Sequence, residues 1–221
     1  MENPLIETRN IKKYFRTLRG NLHAVDGINL SINPGKTLGV VGESGCGKST
    51  LGRLIWRIIE PTDGEVLYNG TNILLYGNEE MKKIRKKMQI IFQDPYASLN
   101  PRLTVSQLIA EPIKVCRTIT DKDEMNEKIY TLMETVGLAE RLVNSYPHEL
   151  DGGRRQRIGI ARALALDPEF IVCDEPVSAL DVSIQAQILT LMMDLQEEMG
   201  LTFMFISHDL SVVKHISDDI M

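Results

Sequence analysis

Gly42-Glu43-Ser44-Gly45-Cys46-Gly47-Lys48-Ser49-Thr50 places glycine, lysine and hydroxyl residues at the spacing G-x-x-x-x-G-K-[ST]. Glycines let backbone N–H groups fold inward around phosphate oxygens, and a helix starting at the loop adds its partial positive charge. Lys48 is then placed to reach the β- and γ-phosphates, and the Ser49 hydroxyl to bind Mg²⁺. Cys46 is a small loop residue with no redox role assigned. This pattern specifies a nucleoside triphosphate and leaves kinase, GTPase and motor ATPase open. More than a hundred residues later, Asp174 and Glu175 follow the apolar run Phe170-Ile171-Val172-Cys173. At the carboxyl end of a buried strand, Asp174 can help to hold Mg²⁺. Glu175, pointing elsewhere, can accept a proton from an attacking water. The competing reading of Asp-Glu-Pro is an exposed turn.

The elements that must position these groups are legible in outline. Residues 5–11, 22–32 and 65–69 read as strands, separated by turn signals at Gly20-Asn21, Asn33-Pro34-Gly35 and Asn69-Gly70. Leu38-Gly39-Val40-Val41 is a short buried strand running into the glycine-rich loop, and Leu51 to Ile59 reads as the helix after it. In the middle, Thr120 is expected to cap a helix with Met125, Ile129, Leu132, Met133 and Val136 on one face, ended by Gly137. After Phe170–Cys173 comes a helix with Ile184, Ile188, Leu191 and Leu195 inward. Gly200 stops it, and Leu201 to Ile206 is another buried strand. Continuous apolar strands alternating with helices predict an α/β fold with a parallel sheet covered on both faces, interrupted by a helical inset.

The chain has 221 residues, 43% of them hydrophobic and 25% charged, enough for a sizeable core. A formal charge of −5 argues against nucleic acid as the main partner. The basic run Lys82, Lys83, Arg85, Lys86, Lys87 is local and reads as a solvated helix face rather than a phosphate patch. No stretch approaches the roughly 20 apolar residues of a membrane-spanning helix, and MENPLIETRN lacks a secretory apolar core. Cys46, Cys116 and Cys173 have no metal or disulfide spacing, which suits a reducing cytosol.

Between the two acidic and phosphate-binding motifs, Leu150-Asp151-Gly152-Gly153-Arg154-Arg155-Gln156-Arg157 resembles the LSGGQ signature of ABC ATPases. In family order stand Gln93 after Ile90-Ile91-Phe92, Ser178-Ala179-Leu180-Asp181, and His208 in Ile206-Ser207-His208-Asp209. The run Gln93 to Arg102, with Val177 to Gln187, looks like the oligopeptide, dipeptide and nickel importer subfamily, and within it the second of two ATPase subunits.

The resemblance implies a P-loop NTPase core with a mainly parallel sheet and an N-terminal antiparallel β-subdomain. An α-helical signature subdomain is inserted at about 95–165, and the whole chain forms one nucleotide-binding domain. It implies ATP and Mg²⁺ as cofactors, and ATP hydrolysis that powers import through a transporter. Phe15 would stack on adenine, with Tyr14 as the alternative and strand packing as the competing role for either. Gln93 would link Mg²⁺ and the attacking water to the helical subdomain, and His208 would contact the γ-phosphate and orient the water or Glu175. His23, His148 and His215 are left structural.

Two ATPase domains, from a different subunit or a second copy, would sandwich two ATP molecules. The signature Asp151, Gly152, Gly153 of one, with its Asp181, would complete the other's site. Permease subunits would hold the chain at the cytoplasmic face of the membrane, and an extracytoplasmic solute-binding protein would be an indirect partner. Where the family has serine and glutamine, this chain has Asp151 and Arg154. Two unit charges about 4 Å apart at an effective dielectric near 20 repel by roughly 4 kcal/mol. The site completed by Asp151 is therefore expected to be weak or non-hydrolytic; in the alternative, Asp151 pairs with Arg154 and both sites work. The ending at Met221, short of the family's further strands, reads as a truncation. The rival readings are an ABC ATPase of DNA repair or translation, which lacks support without coiled-coil insertions or a second ATPase domain, and a sensing module that binds ATP without turnover, against which Glu175 and His208 speak. A P-loop kinase fails on the signature and switch motifs.

Overall fold

Strand periodicity and two turn types divide the chain between two sheets. The computed structural model describes residues 3–18, 20–94 and 96–221. Strands β1 (Ile6–Thr17), β2 (Gly20–Ile32), β4 (Asp63–Tyr68) and β5 (Thr71–Asn72) form an antiparallel sheet in the order β2-β1-β4-β5. Strands β3 (Thr37–Val41), β6 (Met88–Ile91), β7 (Phe170–Asp174), β8 (Thr202–Ser207) and β9 (Asp219–Ile220) form the second, in the order β6-β7-β8-β3-β9 with every pairing parallel.

Alternation along the parallel strands deals their side chains to two cores. Phe170, Val172, Met204 and Ile206 join the antiparallel sheet and α1 (Lys48–Ile55) on one face. Ile171, Cys173, Phe203 and Phe205 face the helices α3 (Val105–Cys116), α4 (Lys122–Thr135), α5 (Gly152–Leu164), α6 (Val182–Met199) and α7 (Leu210–Ile216). This is why the strand sequences read as unbroken apolar runs: both faces are covered. Burial pushes the Cys173 thiol well up, with Asp174 adding to it, so this cysteine packs as an inert apolar group.

Helix boundaries follow local chemistry, with two departures from expectation. The helix after the glycine loop begins at Lys48 and ends at Ile55, rather than running from Leu51 to Ile59. Arg57 adopts φ 54 and its guanidinium donates to the carbonyls of Ile73 and Tyr76 at 2.7 and 2.8 Å, so tertiary bonds take the chain out of the helix. The cap of α4 is Asp121, not Thr120: its Oδ1 accepts from the amides of Asp123 and Glu124 at 2.9 and 3.0 Å. Gly137 and Gly200 do stand at the ends of α4 and α6 with φ 68 and 65. The basic run lies on α2 (Asn78–Lys87), where part of it is drawn into tertiary contacts. Arg85 covers the Trp56 ring, Lys86 donates to the Cys116 carbonyl and Lys87 pairs with Glu169.

α1 carries Lys48 and is anchored by Leu54 and Ile55, both fully buried. Leu54→Ala should cost about 2–5 kcal/mol of stability, by lost transfer energy and the cavity left behind. Urea unfolding measures this; a loss below about 1 kcal/mol would show that α1 is not fixed by this packing.

Candidate active site

The glycine loop leaves the carboxyl end of β3 and closes onto α1. Gly47 makes the turn possible. Its φ is 103, and a Cβ there would lie 2.1 Å from the Ala24 carbonyl oxygen, so β2 and the loop touch at a point that admits no side chain. Lys48 is 7% exposed, and its ammonium donates to the carbonyls of Gly42 and Glu43 at 2.8 and 2.7 Å. Among the described residues no carboxylate pairs with it, so a positive charge stands at the loop. Cys46 is exposed, with Sγ 3.8 Å from that ammonium.

Asp174 ends β7 and is 3% exposed. Ser49 donates its hydroxyl to Asp174 Oδ1 at 2.6 Å, and Arg53, which sequence reasoning did not single out, lies 3.9 Å from Oδ2. Glu175 follows with its backbone in the left-handed region, φ 49, and its amide bonded to the Ile206 carbonyl at 3.0 Å. For a residue with a side chain, such a conformation costs of order 1–3 kcal/mol and persists only where the surroundings impose it. Gln93 Nε2 donates to Glu175 Oε2 at 3.0 Å, and His208 Nδ1 lies 3.3 Å from the same oxygen. Gln93 follows β6 and His208 follows β8, so neighbouring strands deliver both to one carboxylate.

A cavity of about 680 Å³ unites these groups. Ser44 to Thr50 floor it, Gln93, Glu175 and His208 form one wall, and Phe15, Leu22, His23 and Ala24 form the far end. Of the two N-terminal aromatics, Phe15 borders the cavity. Tyr14 instead stacks on His23 and donates its hydroxyl to Asp26 at 2.5 Å. Sequence reasoning missed Leu22 and His23. Gly20-Asn21, expected as a turn, instead opens β2: Gly20 pairs with Thr17 and Asn21 with Arg16, and the same ladder pairs Phe15 with Leu22 and Tyr14 with His23.

The signature residues do not border this cavity. Asp151 caps α5, its Oδ1 accepting from the Arg154 amide at 2.8 Å, and its Oδ2 lies 3.4 Å from Arg154 Nε. Cβ atoms at Gly152 and Gly153 would stand 3.1 and 2.7 Å from Leu180 and Ile184. The two glycines thus let the start of α5 pack closely on the segment around Asp181 that opens α6. Asp181 itself accepts the Gln185 amide on its carbonyl at 2.8 Å.

Residues 25–178 match the ABC transporter family. The chain is 57% identical to the oligopeptide transport ATP-binding protein OppF of Bacillus subtilis, over 100% of this chain and 72% of that one. It is 52% identical to the dipeptide transport ATP-binding protein DppF of Haemophilus influenzae, over 99% of this chain and 68% of the relative. Among solved structures, the ATP-binding cassette MJ0796, dimeric in a post-hydrolysis state with ADP and Pi, superposes with a TM-score of 0.88 at 31% identity. That match covers 98% of this chain and 93% of the cassette. With the strand order, the phosphate loop and the carboxylate pair already in place, these likenesses identify the chain as a member of the ABC transporter family.

Proposed function

We propose that this chain is the ATP-hydrolysing subunit of a peptide importer, working as one half of a pair of nucleotide-binding domains beneath permease subunits. The observation that carries the reading is the junction of Lys48, the Ser49–Asp174 pair and the Gln93–Glu175–His208 cluster in one cavity. Among the described residues no helix is long and apolar enough to cross a membrane, so contact with one runs through partners. Residues 1–221 act as the nucleotide-binding domain, with about 95–165 as its helical signature subdomain.

ATP lies with its base on Phe15 and its phosphates over Gly42 to Thr50. Lys48 exchanges its two loop carbonyls for β- and γ-oxygens, gaining charge-assisted bonds. Among the described residues there is no group of three or more His, Cys, Asp or Glu able to cage a metal. The oxygen pair Ser49 and Asp174 suits Mg²⁺, which takes one or two protein ligands together with substrate phosphates. Gln93, which lines a pocket together with Asp174, adds a third oxygen. Bound there, Mg²⁺ supplies charge against the phosphate oxygens. Glu175 takes the proton of the water that attacks the γ-phosphorus as the bond to the ADP oxygen breaks. Gln93 and His208 hold that carboxylate in place, and His208 meets the γ-phosphate. Asp151, Gly152, Gly153 and Asp181 serve the neighbour's nucleotide, as the α5 amino end offers N–H groups to an anion.

The close Asp151–Arg154 pair favours the reading in which both sites of the assembly work, over one in which the Asp151 side is idle.

Glu175→Gln should lower ATP turnover of the assembled protein by at least about 100-fold, the scale of a lost general base, while nucleotide binding survives. Lys48→Ala should abolish Mg-ATP binding, read as loss of the ATP-induced rise in melting temperature. Turnover in Glu175→Gln at the wild-type rate would remove Glu175 from the chemistry. For the signature, Arg154→Gln should reduce turnover by unmasking Asp151, and Asp151→Ser in the same chain should restore it. A wild-type rate in Arg154→Gln would sink the compensation.

A further inference from the structure

At the far end of the cavity, one polar side chain has no part in the phosphate chemistry. His23 borders the cavity between Leu22 and Ala24. The loop is near: the Ala24 carbonyl, one residue on, is the group against which Gly47 packs. Leu22 and His23 both line that cavity. The β1–β2 ladder shifts register between Lys13 and Tyr14, immediately before the Tyr14–His23 and Phe15–Leu22 pairs.

The imidazole is held on two sides. Its ring stacks on Tyr14 with centroids 3.9 Å apart and planes 18° from parallel. Its Nδ1 lies 3.3 Å from Asp26 Oδ2, while the Tyr14 hydroxyl donates to Asp26 Oδ1 at 2.5 Å. The Tyr14 hydroxyl first, and then His23, hold the Asp26 carboxyl below the usual carboxylate range. An ionised carboxylate only accepts, so Nδ1 must be the donor. In the neutral ring Nε2 then carries the lone pair. Two partly exposed side chains are thus spent on fixing the orientation and tautomer of a third, and ordering them costs rotamer entropy. A packing role needs no such control.

The position along the cavity says what that nitrogen meets. Lys48 and the loop fix the triphosphate at one end and Phe15 takes the base at the other, so the sugar lies between them. A ribose presents hydroxyl donors, and among the side chains at this end, Phe15, Leu22 and Ala24 are apolar. We propose that His23 is the ribose-recognising residue of this site: Nε2 accepts a hydrogen bond from a ribose hydroxyl, with Asp26 and Tyr14 as its positioning residues. This rests on the ATP-binding reading above.

The test is a cycle between protein and nucleotide. Affinities of the full chain for ATP, 2′-deoxy-ATP and 3′-deoxy-ATP are measured with Mg²⁺ in mildly alkaline buffer for wild type, His23→Ala and Asp26→Asn. Wild type should prefer ATP over at least one deoxynucleotide by about 3- to 10-fold, the scale of one hydrogen bond. His23→Ala should bind ATP and both deoxynucleotides alike, and Asp26→Asn should narrow the preference. Each preference is a ratio within one protein, so partial unfolding of a variant does not mimic the result. If wild type binds all three equally, or the preference survives in His23→Ala, His23 does not read the sugar. Failure of wild type to bind any of them would overturn the ATP-binding reading itself, a separate outcome.

Discussion

Four parallel strands lying side by side, β6, β7, β8 and β3, all end on the same edge of one sheet, and each delivers a different reacting group there. From β6 comes Gln93, from β7 Asp174 and Glu175, from β8 His208, and from β3 the loop with Lys48. Adjacent strands are about 4.8 Å apart, so the row spans roughly 14 Å, the scale of a triphosphate with its attacking water. Hydrogen bonding across the ladder thus sets the distances between groups that are far apart in the chain. Both flanking cores serve this edge by keeping the strands in register.

Burial then separates two adjacent carboxylates into two tasks. Asp174 is buried at the end of β7, where among the described residues Ser49 and the fringe of Arg53 meet it. A buried carboxylate with so few donors is well suited to an incoming cation. Glu175, rotated by its left-handed backbone, faces the cavity and receives Gln93 and His208 on one oxygen. The other oxygen is left for water. The Ile206 carbonyl that binds the Glu175 amide helps to hold that strained conformation.

Most of this edge was legible from the sequence because motif spacing and apolar runs depend on short-range rules. The glycine loop, the strand before it and the Asp-Glu pair each announce themselves within ten residues. Helix ends were less legible. Thr120 and Asp121 are both capping residues, and only the geometry of the turn decides that the carboxylate reaches two amides. α1 stops early because Arg57 is recruited by carbonyls of Ile73 and Tyr76, partners that no local pattern names. The far wall of the cavity was hidden for a different reason. Counting alternate residues along β1 and β2 fails where the ladder slips at three places between Thr8 and Tyr14, so the facing of His23 cannot be counted from a strand pattern.

The cavity is built from one side only. Phe15 is 36% exposed and the His208 side chain 56%, and Asp151, Gly152 and Gly153 lie elsewhere on the molecule. Phosphoryl transfer gains from excluded water, because preorganised charges act more strongly in a low-dielectric site. The cassette MJ0796, of similar fold, is dimeric in its post-hydrolysis state with ADP and Pi. Any surface brought against a triphosphate must be neutral or positive at the point of contact. Here the start of α5 meets that condition by placing Arg154 against Asp151 on the helix's own first turn. The close packing of Gly152 and Gly153 on Leu180 and Ile184 ties that turn to the segment holding Asp181.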